Sequence, residues 1–166
     1  MSPGMWLVQA VIAAFTALAM EGWAALLHRW IWHRSMYRIH KTHHVKEAHG
    51  LQLNDLLSAL HAPVAIALIW YGTEPYQGLA SDLALGVGLG MTLFGLGYVV
   101  IHDGVVHGRL PVDWLNRLPW LARIKAAHRV HHALGGAPFG LFSGPWALRR
   151  ANARRRALRA APQQMA

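Results

Sequence analysis

Cysteine is absent from the sequence. Disulfides, zinc–thiolate sites, iron–sulfur clusters and thiol nucleophiles are therefore excluded. Charge is scarce as well: charged residues make up 14% of the 166 positions against 54% hydrophobic, which points to a one-domain membrane protein. Acidic groups are fewest, 7 against 16 Lys and Arg, and the net charge of +9 taken alone suits nucleic acid or anionic lipid. No solenoid-type repeat is visible, and a chain of this length shows no nicotinamide, flavin or iron–sulfur domain. Histidine, by contrast, is abundant, with twelve copies.

Three apolar runs organise the chain. Met5–Leu27, interrupted only by Gln9, Thr16 and Glu21, is long enough to span a bilayer. It has no basic residue before it and no small-residue cleavage pattern after it, so it reads as a span rather than a signal peptide. Leu83–Ile101 is a second run, and its glycines at 86, 88, 90, 95 and 97 would let a neighbouring helix pack closely. A nucleotide-loop reading of Gly86–Gly90 fails because no strand precedes it. Leu56–Tyr71 is a shorter run, expected to kink at Pro63. Three spans put all basic residues on one side, as the positive-inside rule demands, with the N-terminus outside and the C-terminus cytoplasmic. A fourth span over Ala133–Leu148 would send six arginines outside; its Gly and Pro breaks suit a re-entrant or surface-lying segment. Pro111–Leu121, with Trp114 and Trp120, reads as interfacial. Residues 149–166 read as a basic, flexible tail of a single domain spanning 1–166. The expected fold is thus all-α, an integral membrane helical bundle of about three to four transmembrane helices.

Ten histidines form two copies of one series. His28 and His33 make H-x4-H, and His40, His43 and His44 make H-x2-H-H. His102 and His107 repeat the first spacing, and His128, His131 and His132 the second. Positions i, i+3 and i+4 share a helix face, so each H-x2-H-H is expected to aim three imidazoles at one point. H-x4-H spans roughly 140° of an α-helix, so it suits a helix end or ligands aimed at two metals. Three spans gather all four motifs on the cytoplasmic side. Ten imidazoles without thiolate are enough for two metal ions, of the Fe, Cu, Zn or Ni type rather than Ca or Mg. One or two of the ten can serve as hydrogen-bond partners of ligands instead. His49 and His61, outside the motifs, read as interfacial polar residues.

These motifs, with LNDL at 53–56, GYVVIHDGVVH at 97–107 and AHRVHHA at 127–133, resemble the membrane fatty acid hydroxylase superfamily, most closely its β-carotene hydroxylase branch. The resemblance runs from about residue 18 to 134. It implies O2-dependent hydroxylation of β-ionone rings at C3, converting β-carotene to zeaxanthin through cryptoxanthin. It also implies a di-iron centre of two non-haem iron ions, electrons from a ferredoxin-type donor and residence in the bacterial inner membrane. After HHA the chain reads LGGAPFGLFSGPW, shorter and more apolar than the family's usual stretch.

Four polar residues near the motifs have two readings each. Asp103 would accept from an imidazole N–H or pair with a nearby arginine. Asn54 and Asp55 would orient ligands or cap the following helix. Glu21, a carboxylate inside a span, needs a partner and lies on the same helix face as His28; it reads as a partner of a ligand, a channel residue or a structural hydrogen-bonder. The rival functions are an oxygenase acting on a fatty acid, sterol or keto-carotenoid, a bis-histidine haem electron carrier, and a nucleic-acid binder through RRANARRR; the spans argue against the last.

Overall fold

The computed structural model describes residues 3–45, 50–75 and 78–160, and His49 lies outside them. Among the described residues every regular element is a helix. Helix α1 (Pro3–Leu27) runs without interruption into a π-helical turn, His28–Trp32. A short α2 (Tyr37–His40) leads into a 3-10 turn, Lys41–His44. The next span is α3 (Leu53–Ala59) and α4 (Ala62–Thr73). Helix α5 (Leu79–Tyr98) also ends in π-helix, Val99–Val106. A 3-10 turn (Asp113–Arg117), α6 (Pro119–Leu134) and α7 (Gly144–Ala160) complete the order.

Among the described residues, three segments are long and apolar enough to cross a membrane: Met5–Trp32, Leu53–Thr73 and Leu79–Val106. A helix satisfies its own backbone groups, the condition lipid imposes. Little of these segments is buried inside the bundle: Leu7, Phe15 and Leu18 are 67%, 72% and 76% exposed, an apolar surface that fits lipid rather than water. The protein is a membrane helical bundle, as expected.

Helix α5 sits between α1 and α4, and its glycines make the close approach possible. A Cβ on Gly86 would fall 2.8 Å from Ile12, one on Gly90 2.5 Å from the Ala13 carbonyl oxygen, and one on Gly88 2.8 Å from Ile69. Gly86 and Gly90, one turn apart, thus receive α1, while Gly88 receives α4. Gln9 is buried in the same interface and its Nε2 donates to Asp82 Oδ1 at 3.1 Å.

Three expectations are corrected. The middle span is broken rather than kinked: turn residues at 60 and 61 separate α3 from α4, and Pro63 sits in the first turn of α4, where its missing N–H costs nothing. Residues 149–160 continue α7 as helix instead of forming a loose tail. The stretch 133–148 is neither a span nor one surface element. It comprises the end of α6, a left-handed Gly135 cap (φ 64°), an irregular strap over 136–143, and the start of α7.

The glycine contacts generate a test. Gly90→Leu should lower the thermal unfolding midpoint in detergent, with overpacking costing roughly 1–3 kcal/mol. Gly95→Leu on the same helix, with nothing within 4 Å of its Cβ position, should not. Equal midpoints for the two variants would contradict this packing.

Candidate metal centre

The ends of α1 and α5, the segment 37–44 and helix α6 meet at one end of the bundle. Two groups of nitrogen ligands form there. His28, His33, His40, His44 and His131 offer atoms all within 4.8 Å of one another, and so do His43, His107, His128 and His132. The tenth motif histidine, His102, lies beside the second group, its ring 4.5 Å from His107, 4.9 Å from His128 and 5.1 Å from His43.

Local backbone geometry explains the spacing. His33 N–H donates to His28 O at 3.0 Å, and His107 N–H to His102 O at 3.0 Å. These i→i+5 bonds define a π-turn, which sets residue i+5 one turn above i. The H-x4-H pairs therefore do share a face, because the helix winds more loosely where they occur. The H-x2-H-H motifs behave differently from expectation: they do not converge on one point. In the first, His40 and His44 enter one group while His43 enters the other. In the second, His128 and His132 stay together and His131 crosses over. Positions i and i+4 point one way; i+3 is rotated far enough to reach the neighbouring cage. Each half of the chain thus lends its middle histidine to the other half's cage.

Hydrogen bonds fix the tautomers. Nδ1–H of His28 donates to the Phe139 carbonyl at 2.7 Å, that of His40 to Asn54 Oδ1 at 2.8 Å, and that of His131 to the Gly136 carbonyl at 2.6 Å. Each of these rings is left with an Nε2 lone pair aimed inward. Yet His28 and His40 Nε2 are only 3.0 Å apart. His40 and His44 Nε2 are 3.2 Å apart, and His33 and His131 Nε2 3.1 Å. In the second cage the Nε2 atoms of His128 and His132 lie 2.9 Å apart. Both ring nitrogens of His43, and Nε2 of His102 and His107, are buried without a partner. Lone pairs so arranged repel unless a cation lies among them, and burial opposes protonation. His40 and His107 are pushed down to about 3 and His131 to about 4, while His43 and His128 fall far lower. Lost hydration is the largest cause at each, and repulsion from neighbouring imidazoles adds to it. Neutral, convergent and otherwise unsatisfied imidazoles fit metal ions.

The surrounding polar residues are placed as follows. Asp103 accepts from His102 Nδ1–H at 2.8 Å and also pairs with Arg109 at 3.3 Å, so both of its readings hold at once. Asn54 is buried and holds His40. Asp55 accepts from the Gln52 N–H at 2.9 Å, a capping role, and takes a two-pronged ion pair from Arg109. Glu21 Oε1 accepts from Ser143 N–H at 2.8 Å and from Ser143 Oγ–H at 2.7 Å. His61 is away from the cages and accepts from Trp23 Nε1 at 3.0 Å. Sequence reasoning missed Arg109, which ties the Asp103 side of the second cage to α3, and Tyr98, whose ring stacks on His102 at 4.6 Å. It also missed the carbonyls of Gly136 and Phe139. Carbonyl acceptors carry no residue signature; the Gly–Pro-rich strap that presents them was the available signal.

Comparison with known proteins agrees with this geometry. The model of the fatty acid hydroxylase family matches residues 13–147. A β-carotene hydroxylase of Pseudescherichia vulneris is 43% identical over 130 residues, covering 78% of this chain and 71% of that protein. The chloroplastic β-carotene hydroxylase 1 of Capsicum annuum is 41% identical over 136 residues, 81% of this chain. The chloroplastic β-carotene 3-hydroxylase 2 of Arabidopsis thaliana is 42% identical over 131 residues, 78% of this chain. The chain spans less than half the length of these plant relatives, 43% in both cases. No solved structure matches.

Asn54→Ala tests the tautomer argument. Loss of the His40 partner should weaken metal affinity by about 10–100-fold in a chelator competition assay. Parental affinity in that variant would show that His40 is held in place by something else.

Proposed function

The chain belongs to the fatty acid hydroxylase family, and we propose that it hydroxylates the β-ionone ring of carotenoids at C3, taking β-carotene to zeaxanthin through cryptoxanthin. The observation that carries the reading is the pair of all-nitrogen cages at the end of a lipid-facing bundle, opening beside an apolar pocket. The substrate class rests on the names of the three relatives above, each a β-carotene hydroxylase by name.

In this proposal the ligand histidines, including His102, hold two non-haem irons. When bound, the metal pair supplies dioxygen activation, which an unreactive C–H bond requires and acid–base side chains cannot provide. The chain's own residues orient and shield. Phe139, Gly136, Asn54 and Asp103 fix the imidazole tautomers. Arg109 restrains Asp103. Trp32, Tyr98, Phe139 and Leu141 line a small, largely apolar pocket that marks where the ring would approach the cages, while the polyene stays in lipid. A long apolar substrate reaches such a site from the bilayer.

Electrons come from a ferredoxin-type donor, docked on the basic face that carries the cages. That face is cytoplasmic, in a bacterial inner membrane, because three spans gather the basic residues beside the histidine motifs. The same arginines also suit anionic lipid.

Expression of the chain in a β-carotene-accumulating bacterium, followed by chromatography of the pigments, tests the activity. Cryptoxanthin and zeaxanthin should appear with the parent and vanish with His43→Ala or His131→Ala. Unchanged β-carotene with a well-expressed, metal-loaded parent would exclude the assignment and favour a fatty acid or sterol as substrate.

A further inference from the structure

The reaction proposed above has a proton requirement that the histidines cannot meet. Hydroxylation balances as R–H plus O2 plus two electrons plus two protons, giving R–OH and water. One C–H bond breaks and one C–O bond forms. Dioxygen is reduced by the electron pair of the C–H bond together with two electrons from the external one-electron donor. The oxygen atom that departs as water must collect protons beside a small pocket whose lining is mostly apolar.

Few groups at that pocket can carry a proton. One histidine of each cage, His28 and His128, opens on it, but both aim nitrogen into the cages, and His28 spends its remaining N–H on Phe139. Tyr98 lines it too, yet a phenol is a far weaker acid than a carboxyl. Trp32 and Leu141 offer nothing. Glu21 is left. Its two oxygens have different surroundings. Oε1 accepts both hydrogen bonds from Ser143, and Oε2 is buried with no partner. Oε2 is thus the oxygen that Ser143 leaves free, and Glu21 is part of the pocket lining. On its other side Glu21 is linked through Oε1 to the hydroxyl of Ser143, a residue exposed at the surface. Gly140 keeps this link open, because a Cβ there would fall 2.5 Å from Glu21 Oε1. An intramembrane carboxylate with an idle buried oxygen is costly, and such groups serve proton or ion paths.

We propose that Glu21 delivers protons to the pocket: Ser143 Oγ passes its proton to Glu21 Oε1 and regains one from its exposed side, and rotation of the carboxyl turns the protonated oxygen toward the pocket. The inference rests on the hydroxylase reading.

The test uses the full iron-loaded chain in lipid nanodiscs with β-carotene, a ferredoxin and its reductase. Glu21→Gln keeps an acceptor oxygen for both Ser143 bonds and is close to isosteric, so metal content should match the parent. Product formed per O2 consumed should fall about 100-fold, the range of a lost general acid, with peroxide released instead. Glu21→Asp, which retains the acid, should recover part of that coupling. A second readout needs no turnover: the infrared difference spectrum between the metal-free parent and Glu21→Gln should contain carboxyl bands that move when Ser143 is replaced by alanine, the mark of the Ser143–Glu21 link. Parental coupling in Glu21→Gln overturns the inference, and so does loss of metal from it, which would make Glu21 a support of the strap alone. A parent that makes no hydroxylated carotenoid sinks the hydroxylase reading instead.

Discussion

Convergent imidazole lone pairs are the constraint on which the rest of this structure depends. In the first cage His28 and His40 both give their Nδ1 proton to an oxygen, so two Nε2 lone pairs confront each other at 3.0 Å. No proton placement within the cage relieves all such contacts, and burial makes a charged imidazole costly. A metal cation resolves the repulsion and turns it into ligation. The surrounding fold can be understood as what holds these rings still: π-turns closing α1 and α5, carbonyls of the strap, Asn54, and the Asp103–Arg109–Asp55 chain.

The crossover of His43 and His131 adds a consequence. Each cage is built from one H-x4-H, two histidines of the following motif and one histidine from the other half of the chain, once His102 is placed with the second. The two cages are therefore one mechanical unit. Displacing α6 moves ligands of both, and so does displacing 37–44. The apolar core beneath is small, centred on Val105, Val106, Leu121, Ile124 and Leu141. Metal bound in the cages would contribute to holding α6 against the spans, since ligand binding to the folded state alone stabilises it.

Much of this was legible in the sequence. The spans follow from length and hydropathy, the glycine stripe from its spacing, and the ten histidines from a motif series repeated in order. The parts that were not legible share one origin: they depend on departures from regular helix. An α-helical wheel separates His28 from His33, and only the i→i+5 turn brings them onto one face. The same wheel groups His128, His131 and His132, whereas a second cage a few ångströms away makes the 100° step from i+3 to i+4 decisive. Pro63 marked a disturbance in the middle span but not that the helix would restart there. The strap over 136–143 looked like a membrane-surface segment because its contribution is made by main-chain carbonyls and by Ser143, which no side-chain pattern announces.

The central claim is that the two cages hold a pair of metals bound by imidazole. Iron K-edge X-ray absorption on the purified, reconstituted chain, with iron quantified per polypeptide, tests it most directly. The account predicts an iron pair per chain, one for each cage, with a nitrogen- and oxygen-only first shell, imidazole outer-shell scattering and an iron–iron contribution. A single iron per chain, or iron lacking imidazole scattering, would contradict it.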